Sequence, residues 1–168
     1  MIKGGDSMRL YDNVKLTEEL EELSKKGIHK GYLGILVKID VDTFTVCFYN
    51  KYNFGESAYA KVNKKYLKFI LRADDNDISE FAEHFKNVNM EKHTHLTECD
   101  VKEYDVVELI VEKPEYAIEG VHKGDRGCVI STYAIHNCWE IIFSERGTGK
   151  DIAQIGVARE DFKIIDKF

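Results

Sequence analysis

Two stretches with nearly the same sequence decide the fold of this chain: GIHKGYLGILV at residues 27–37 and GVHKGDRGCVI at residues 120–130. The similarity extends upstream without a gap, so that residues 9–37 share eleven identities with residues 102–130. After two added residues near positions 133–137 it continues, and residues 62–70 align with residues 157–165. Insertions of this kind are tolerated at hairpin tips. The chain is therefore predicted to contain two copies of one small unit.

Each copy consists of five short runs rich in β-branched and aromatic residues. In the first copy they are residues 12–16, 32–39, 43–50, 57–62 and 67–70, and in the second they are residues 105–111, 127–133, 138–144, 152–157 and 162–165. Short strands joined by tight turns are typical of a small barrel. We therefore predict a mainly β protein with five-stranded barrels at residues 9–70 and 102–168, preceded by a flexible segment at residues 1–8.

The repeated glycines have a structural explanation. Gly31 and Gly124 can supply the positive φ that the turn into the second strand requires. Gly34 and Gly127 allow a sharp bend or a close approach of two backbones. A phosphate-binding loop is the alternative, but no P-loop Lys-Ser/Thr follows and no helix begins after these glycines.

The loops and the connector differ between the copies. Residues 17–29 have a helix-like order of charges, and Gly27 can cap the helix, whereas the matching loop contains Pro114 and is expected to be irregular. In the connector, residues 71–101, Asn76 or Asp77 can cap a helix that runs to about Val88. Its apolar stripe is expected to pack on one or both barrels, with a partner-binding helix as the alternative. Residues 87–100 are predicted to be a polar linker.

The second copy carries a resemblance to a known family. It contains YDVVEL at residues 104–109 and KGDRGCV at residues 123–129, followed by an apolar hairpin and a closing strand that begins with Asp and Phe. This pattern resembles a family of short bacterial domains of unknown function, related to the KOW motif of ribosomal and transcription-elongation proteins. The resemblance covers about three quarters of the chain and implies tandem SH3-like barrels without catalytic residues. The first copy departs from the pattern at Asn13 and Tyr32.

The composition indicates a globular protein, with 43% hydrophobic and 32% charged residues. No apolar run approaches the roughly 20 residues needed to span a bilayer. The first residues have no apolar core of the kind that a secretory signal carries. We therefore expect a cytoplasmic protein that does not bind membranes.

The charge is uneven along the chain, with a net of +3 over residues 9–70, −5 over residues 71–101 and −4 over residues 102–168. In the first copy, Lys61, Lys64 and Lys65 lie among aromatic residues, a pattern that suits single-stranded nucleic acid. The same pattern is typical of protected sheet edges and filled barrel cores. The acidic second half suggests an alternative, an immunity or inhibitor protein that neutralises a basic toxin.

Metal, cofactor and catalytic sites are not indicated. His93, His95 and Cys99 are the best candidates for metal ligands, but their spacing matches no standard site. No two cysteines have C-x-x-C spacing, and Cys47, Cys128 and Cys138 lie in apolar runs where we expect buried thiols. No hydrolase, metalloprotease or nucleotide-binding motif is present. We therefore expect no cofactor and no enzymatic activity.

The remaining function class is a non-catalytic binding module, and we expect its partner to be another protein. SH3-like barrels commonly bind through a variable loop and an adjacent aromatic groove. In the second copy the candidates are Tyr116, Asp125, Tyr133 and Trp139. Trp139 aligns with Phe44, so a place in the core is its alternative.

Overall fold

The structure is a computed structural model that describes residues 7–168. Most of the segment expected to be flexible, residues 1–6, lies outside the described residues. The protein is mainly β, with curled sheets of half-barrel form. It divides into two compact units. Unit 1 contains described residues 7–50 and 56–98, and unit 2 contains residues 51–55 and 99–168.

The strands and helices are numbered in chain order over residues 7–168. The strands are β1 (Asn13–Leu16), β2 (Leu33–Ile39), β3 (Thr43–Tyr49), β4 (Asn53–Phe54), β5 (Ser57–Asn63), β6 (Leu67–Leu71), β7 (Val106–Leu109), β8 (Arg126–Val129), β9 (Ala134–Ile135), β10 (Cys138–Ser144), β11 (Asp151–Ala158) and β12 (Phe162–Asp166). The helices are α1 (Glu21–Ser24), α2 (Asp75–Phe85) and α3 (Pro114–Ala117). Short 3-10 turns lie at Lys64–Tyr66, Met90–Lys92 and Arg159–Asp161.

The sheet of unit 1 has the strand order β5-β3-β2-β1-β6, with every neighbouring pair antiparallel. The last strand therefore returns to lie beside the first. Val14, Leu36, Val46 and Phe48 point to one face, where each is fully buried. This alternation of buried residues along each strand follows from the period of two in a β-strand.

Unit 2 repeats this order, because β12, β7, β8, β10 and β11 pair in the same sequence. The register also repeats. Phe48 lies opposite Ala58 in unit 1, and Phe143 lies opposite Ala153 in unit 2. All ten predicted strands are present in residues 7–168, although β7 and β8 are shorter than predicted. Unit 2 adds two short strands, since β9 pairs with β10 and β4 pairs in parallel with β9.

The repeated glycines lie where the backbone requires them. Gly31 and Gly124 have φ of +89° and +92°, a conformation that residues with a side chain rarely adopt. A Cβ atom on Gly34 would lie 2.7 Å from the carbonyl oxygen of Cys47, and one on Gly127 would lie 2.6 Å from that of Ile142. Both glycines thus allow the second strand to lie against the third.

A buried carboxylate marks the beginning of each unit. Asp12 and Asp105 are matched residues, and both are fully buried. Each accepts a hydrogen bond from the amide three residues earlier, at 2.7 and 2.9 Å. Each also pairs with a cation just after the last strand of its unit, Arg72 at 2.7 Å and Lys167 at 3.1 Å. Burial alone would raise the pKa of Asp105, but the Lys102 amide and Lys167 outweigh it and lower that pKa.

Two predictions about the loops are wrong. The loop with Pro114 is not irregular, because Pro114–Ala117 form helix α3 with the proline in the first turn. Proline is favoured there, since its missing N–H would have no helical partner. The connector helix is capped by Asp74, not by Asn76 or Asp77. Asp74 accepts from the Asp77 amide at 2.9 Å, and the Asp77 carboxylate accepts from the Asp74 amide at 3.2 Å.

Helix α2 lies on the sheet of unit 1. The ring of Phe81 is 6.0 Å from that of Tyr11, and the ring of Phe85 is 6.2 Å from those of both Tyr11 and Tyr59. These contacts confirm that the apolar stripe of the connector helix packs on the first copy. The stretch after α2 also joins unit 1, because the Tyr59 amide donates to the carbonyl of His93 at 2.7 Å.

Candidate functional site

An open cavity of about 560 Å³ lies on unit 2, where the chain passes from β8 through β9 into β10. We call it the Tyr133 groove. Its walls are Ser131, Thr132, Tyr133, Ile135, Cys138 and Glu140, and Gly156 forms part of its floor.

The two added residues of the second copy fall near residues 133–137, the stretch that supplies Tyr133 and Ile135 to the groove. They fall in a tip where His136 and Asn137 have φ of +50° and +62°. Asn and His are among the residues that adopt this left-handed conformation most readily. The tip holds β9 beside β10, with Ala134 buried in the core. Because neighbouring side chains on a strand alternate, Tyr133 and Ile135 are exposed on the opposite side.

Gly156 leaves space in the groove because it has no side chain. Gly156 on β11 lies opposite Glu140 on β10. A Cβ atom on Gly156 would have only the Cβ of Cys138 near it, at 3.9 Å. The matching residue of the first copy is Lys61, which lies opposite Thr45. The first copy thus carries a long side chain at the place where unit 2 has a groove.

Strand β4 brings a further aromatic residue to the groove. Asn53 and Phe54 pair in parallel with Ala134 and Ile135, and the Ala134 amide donates to the carbonyl of Tyr52. The ring of Phe54 lies 6.2 Å from that of Tyr133. Phe54, Tyr133 and Ile135 are all exposed. Three exposed apolar side chains together are typical of a surface that binds a partner.

The polar side of the groove is acidic. The Glu140 amide donates to the Ser131 hydroxyl at 3.1 Å, and this bond fixes the two walls relative to each other. Gln154 donates to one carboxylate oxygen of Glu140 at 2.5 Å and orients it. The exposed carboxylate can accept hydrogen bonds from a bound amide, hydroxyl or cation.

Two of the four residues predicted for the aromatic groove are in the core of unit 2. Trp139 and Tyr116 are both buried. The Tyr116 hydroxyl donates to Asp161 at 2.7 Å, and Lys113 approaches the same carboxylate at 2.6 Å. Burial, together with Asp161, raises the pKa of Tyr116 to about 12. These side chains stabilise unit 2 and are not available as surface anchors.

Of the other two candidates, Asp125 does not line the groove. The Asp125 carboxylate accepts from the His122 amide at 2.8 Å and closes the turn before β8. Of the four predicted residues, only Tyr133 lines the groove.

The three lysines predicted for nucleic-acid binding make different contacts. Lys61 is exposed on β5. Lys64 pairs with Asp42 at 3.0 Å and donates to the carbonyl of Val41 at 3.0 Å, so that it fastens the β2–β3 turn. The Lys65 ammonium lies 4.7 Å from the centre of the Tyr66 ring.

The candidate metal ligands and the cysteines are the remaining residues considered from the sequence. Within residues 7–168, no three His, Cys, Asp or Glu side chains are placed to hold a metal ion. All four cysteines are free thiols. Cys47 is buried as expected, but Cys128 is half-buried and the prediction for Cys138 is wrong, because that residue is exposed. It begins β10 on the side opposite to the buried Trp139. Over the same residues, no helix is long and apolar enough to span a membrane.

Sequence analysis missed Phe54, which neighbours the groove, and all of the lining residues except Tyr133, namely Ser131, Thr132, Ile135, Cys138, Glu140 and Gly156. Two signals were available in the alignment of the copies. One is the two-residue insertion, and the other is the replacement of Lys61 by Gly156. The pairing of β4 with β9 has no such signal, because it joins residues about 80 positions apart.

No family model matches the chain, and no curated protein matches it. The groove is therefore interpreted from its own geometry.

Proposed function

We propose that this chain is a non-catalytic, cytoplasmic binding module that recognises a short segment of another protein in the Tyr133 groove. The observation that carries the proposal is the cluster of exposed Tyr133, Ile135 and Phe54 beside a cavity of about 560 Å³. A cavity of this size is within the range that holds small ligands or a few side chains. We further propose that both units are SH3-like barrels of the KOW-related type, which the repeated strand order supports.

The chemistry of the groove defines the segment that it fits. Tyr133 and Ile135 can pack on an aliphatic or aromatic side chain. Glu140 can pair with a lysine or arginine next to it, and the second copy as a whole is acidic, with a net charge of −4 over residues 102–168. Opposite charges favour association and orient the partner. The proposed ligand is therefore an extended peptide with one large apolar residue beside a basic residue.

The two alternatives are less well supported. Nucleic-acid binding through the first copy would use Lys64, which already pairs with Asp42, and Lys65, which already lies on Tyr66. A basic toxin would fit the acidic charge, but nothing in the described residues distinguishes it from any other basic partner. Both remain outcomes of the experiment below.

The decisive variant is Gly156→Lys. It places in the groove the residue that the first copy carries at the same position, and no atom of the described structure obstructs its Cβ. The matched control is Thr148→Lys, which adds the same charge at the exposed β10–β11 turn. Peptides are selected from a random displayed library on the full-length wild-type chain, and their affinities for the three proteins are compared.

We expect the selected peptides to share an apolar residue beside a basic one. Gly156→Lys should weaken their binding at least about tenfold, the size expected when a central contact is lost, and Thr148→Lys should leave it unchanged. Equal binding by all three proteins would contradict the proposal. Tight binding of a single-stranded oligonucleotide that is lost in Lys61→Ala/Lys64→Ala/Lys65→Ala would favour the nucleic-acid alternative. A selected basic protein whose binding is unaffected by Gly156→Lys would favour the inhibitor alternative.

A further inference from the structure

The outer faces of the two sheets are covered differently. We define the outer face of unit 1 by Tyr11, Ile35, Cys47 and Tyr59, which point away from the core of the sheet. Only 2% of Ile35, 2% of Cys47 and 6% of Tyr59 is exposed. Helix α2 contributes to this burial, because Phe81 and Phe85 pack on the rings of Tyr11 and Tyr59. In unit 1 this face therefore packs against an amphipathic helix.

The matched face of unit 2 is more open. Its residues are Tyr104, Cys128, Ile142 and Gln154, at the positions that correspond to the outer face of unit 1. Cys128 and Ile142 are half-buried, and Gln154 is exposed. The ring of Tyr104 lies 5.3 Å from that of Phe168, and yet 49% of Tyr104 and 89% of Phe168 remain exposed. Apolar surface is thus accessible where unit 1 binds its helix.

A shallow cavity of about 290 Å³ lies on this face of unit 2. Val106 and Cys128 form its apolar floor, and Arg126 and Arg146 stand at its sides. Ser144 lines this cavity, and its counterpart in unit 1, Tyr49, lines the space under α2. The two cavities therefore include one matched position of the repeated face.

Three cations gather on one side of this face. Arg126, Arg146 and Lys163 lie 3.3, 3.7 and 3.0 Å from the single carboxylate of Glu108. Three cations around one carboxylate leave an excess of positive charge. Glu145 also borders the cavity and offsets one of these positive charges; its carboxylate accepts from the Thr148 hydroxyl at 3.0 Å within the β10–β11 turn.

Helix α2 has the opposite charge. It carries Asp75, Asp77, Glu80 and Glu83 against the single His84. Its two aromatic residues, Phe81 and Phe85, are four positions apart and therefore lie on one side of the helix. The pattern of α2, two large apolar residues with carboxylates around them, is complementary to the open face of unit 2 in both polarity and charge.

We propose that the outer face of unit 2 binds an acidic amphipathic helix of a partner protein, with two large apolar residues four positions apart. The helix would lie across Tyr104, Cys128 and Ile142, with its carboxylates toward Arg126 and Arg146. This is the helix-in-groove type of recognition. This surface lies on the same side of β10 as the Tyr133 groove, since Glu140 and Ile142 both face outward. The helix would contact other residues, and the proposal does not depend on the function proposed for the groove.

The probe is a labelled peptide with the sequence of α2 and its cap, residues 74–86. It is titrated with the full-length chain, and binding is followed by fluorescence anisotropy and by the helix signal in circular dichroism. A helix of this length is marginal in water, so a gain of helicity on binding is a second readout. We expect saturable binding that the peptide changes Phe81→Ala and Phe85→Ala remove.

The protein variants identify the face. Arg126→Glu/Arg146→Glu should weaken binding at least about tenfold, because like charges then face each other. The matched control Lys61→Glu/Lys65→Glu reverses two exposed cations of unit 1 and should change nothing. In the labelled wild-type chain, the amide resonances of Cys128 and Ile142 should shift.

Three outcomes would overturn the proposal. The first is no saturable binding up to about millimolar peptide, where the free energy of binding falls to about 4 kcal/mol. The second is equal binding by the arginine variant, with its fold verified by the emission of Trp139. The third is shifts confined to Ile35, Cys47 and Tyr59, which would show that the peptide exchanges with α2 on unit 1.

Discussion

Strands β3 and β10 occupy the same place in two sheets with the same order, but they are buried differently. Along β3 five consecutive residues, 44–48, are buried, so that both faces of the strand are covered. Along β10 buried residues alternate with exposed or half-buried ones. The inward-facing residues match, since Phe48 and Phe143 are both fully buried. The two copies therefore share their core and differ in what lies on its outside.

The largest effect is expected from the buried carboxylates, and it tests whether the two units are stabilised alike. Asp105→Asn removes the charge that Lys167 and two backbone amides face. Loss of such a charge should cost roughly 2–4 kcal/mol of the free energy of unfolding. The only tryptophan, Trp139, is buried in unit 2 and reports on that unit. Urea unfolding followed by its fluorescence should show the shift.

Asp12→Asn is the matched change in unit 1. It should lower the thermal stability of the protein by a similar amount but leave the Trp139 transition nearly in place. Equal shifts of that transition by both variants would show that the two units unfold together, and the comparison between them would then fail.

The acid dependence of unit 2 follows from the same residue. The pKa of Asp105 is lower in the folded state than in the unfolded chain, so the unfolded state binds the proton more readily. The stability that this carboxylate contributes is present above its unfolded pKa, near 3.9. It is lost as the pH falls through the folded pKa. The Trp139 urea midpoint of the wild type should therefore fall in acid more steeply than that of Asp105→Asn.

The next prediction tests whether the repeated glycines are needed for close approach of two strands. Gly127→Ala places a methyl group 2.6 Å from the carbonyl oxygen of Ile142 and should cost about 1–3 kcal/mol. Gly156→Ala is the matched control in the same sheet, because its Cβ has only one neighbour, at 3.9 Å. The urea midpoints of the two variants should differ clearly. If Gly156→Ala is as destabilising as Gly127→Ala, close strand approach is not the reason why Gly34 and Gly127 recur at matched positions.

A smaller effect separates the two outer faces. Phe85→Ala removes the ring that packs on Tyr11 and Tyr59, and should destabilise unit 1 by about 1–2 kcal/mol. Phe168→Ala removes a ring that is 89% exposed, and a change on the surface should stay within about 0.5 kcal/mol. Hydrogen exchange of the Cys47 and Tyr59 amides should accelerate in Phe85→Ala alone. Unchanged exchange there would argue that α2 does not protect the outer face of unit 1.

The smallest effect concerns two matched histidines. The His29 ring lies between Glu19, at 2.8 Å, and Glu98, at 2.9 Å, whereas the His122 ring pairs with Glu112, at 2.8 Å. Glu19 raises the pKa of His29, burial opposes this, and Glu98 adds to it. Glu112 raises the pKa of His122. The stability that each protonated histidine contributes to the fold is thus present below the unfolded pKa, near 6.5. It is lost as the pH rises through the folded pKa.

Titration by NMR measures both histidines in one sample. Glu98→Gln should lower the pKa of His29 and leave that of His122 unchanged, and Glu112→Gln should do the reverse. A His29 pKa at or below 6.5 in the wild type would contradict the position of this ring between Glu19 and Glu98.

The sequence predicted the sheets well because their determinants are local. Alternation of apolar residues located β3 and β10, and the glycines located the turns before β2 and β8. The packing of helix α2 on unit 1 was also predictable, since Phe81 and Phe85 share one side of a capped helix. These features depend on neighbours along the chain, where periodicity and turn chemistry apply.

The groove was not predicted because its determinants are distant in sequence. Tyr133 lines the groove, but Trp139 and Tyr116, which residue type alone favours as surface anchors, are both buried. Burial of Tyr116 depends on Asp161, 45 positions away. The role of Phe54 depends on a parallel pairing with Ile135 that no local pattern encodes.

Strand β4 makes unit 2 discontinuous in sequence. Residues 51–55 lie within the first sequence repeat, between β3 and β5, but they belong to unit 2. No single cut in the polypeptide therefore releases both units intact. A fragment that begins at residue 99 would lack the strand that pairs with β9, together with one aromatic side of the groove. During synthesis, β4 leaves the ribosome about 80 residues before its partner, so the groove is completed only when the second repeat has been made.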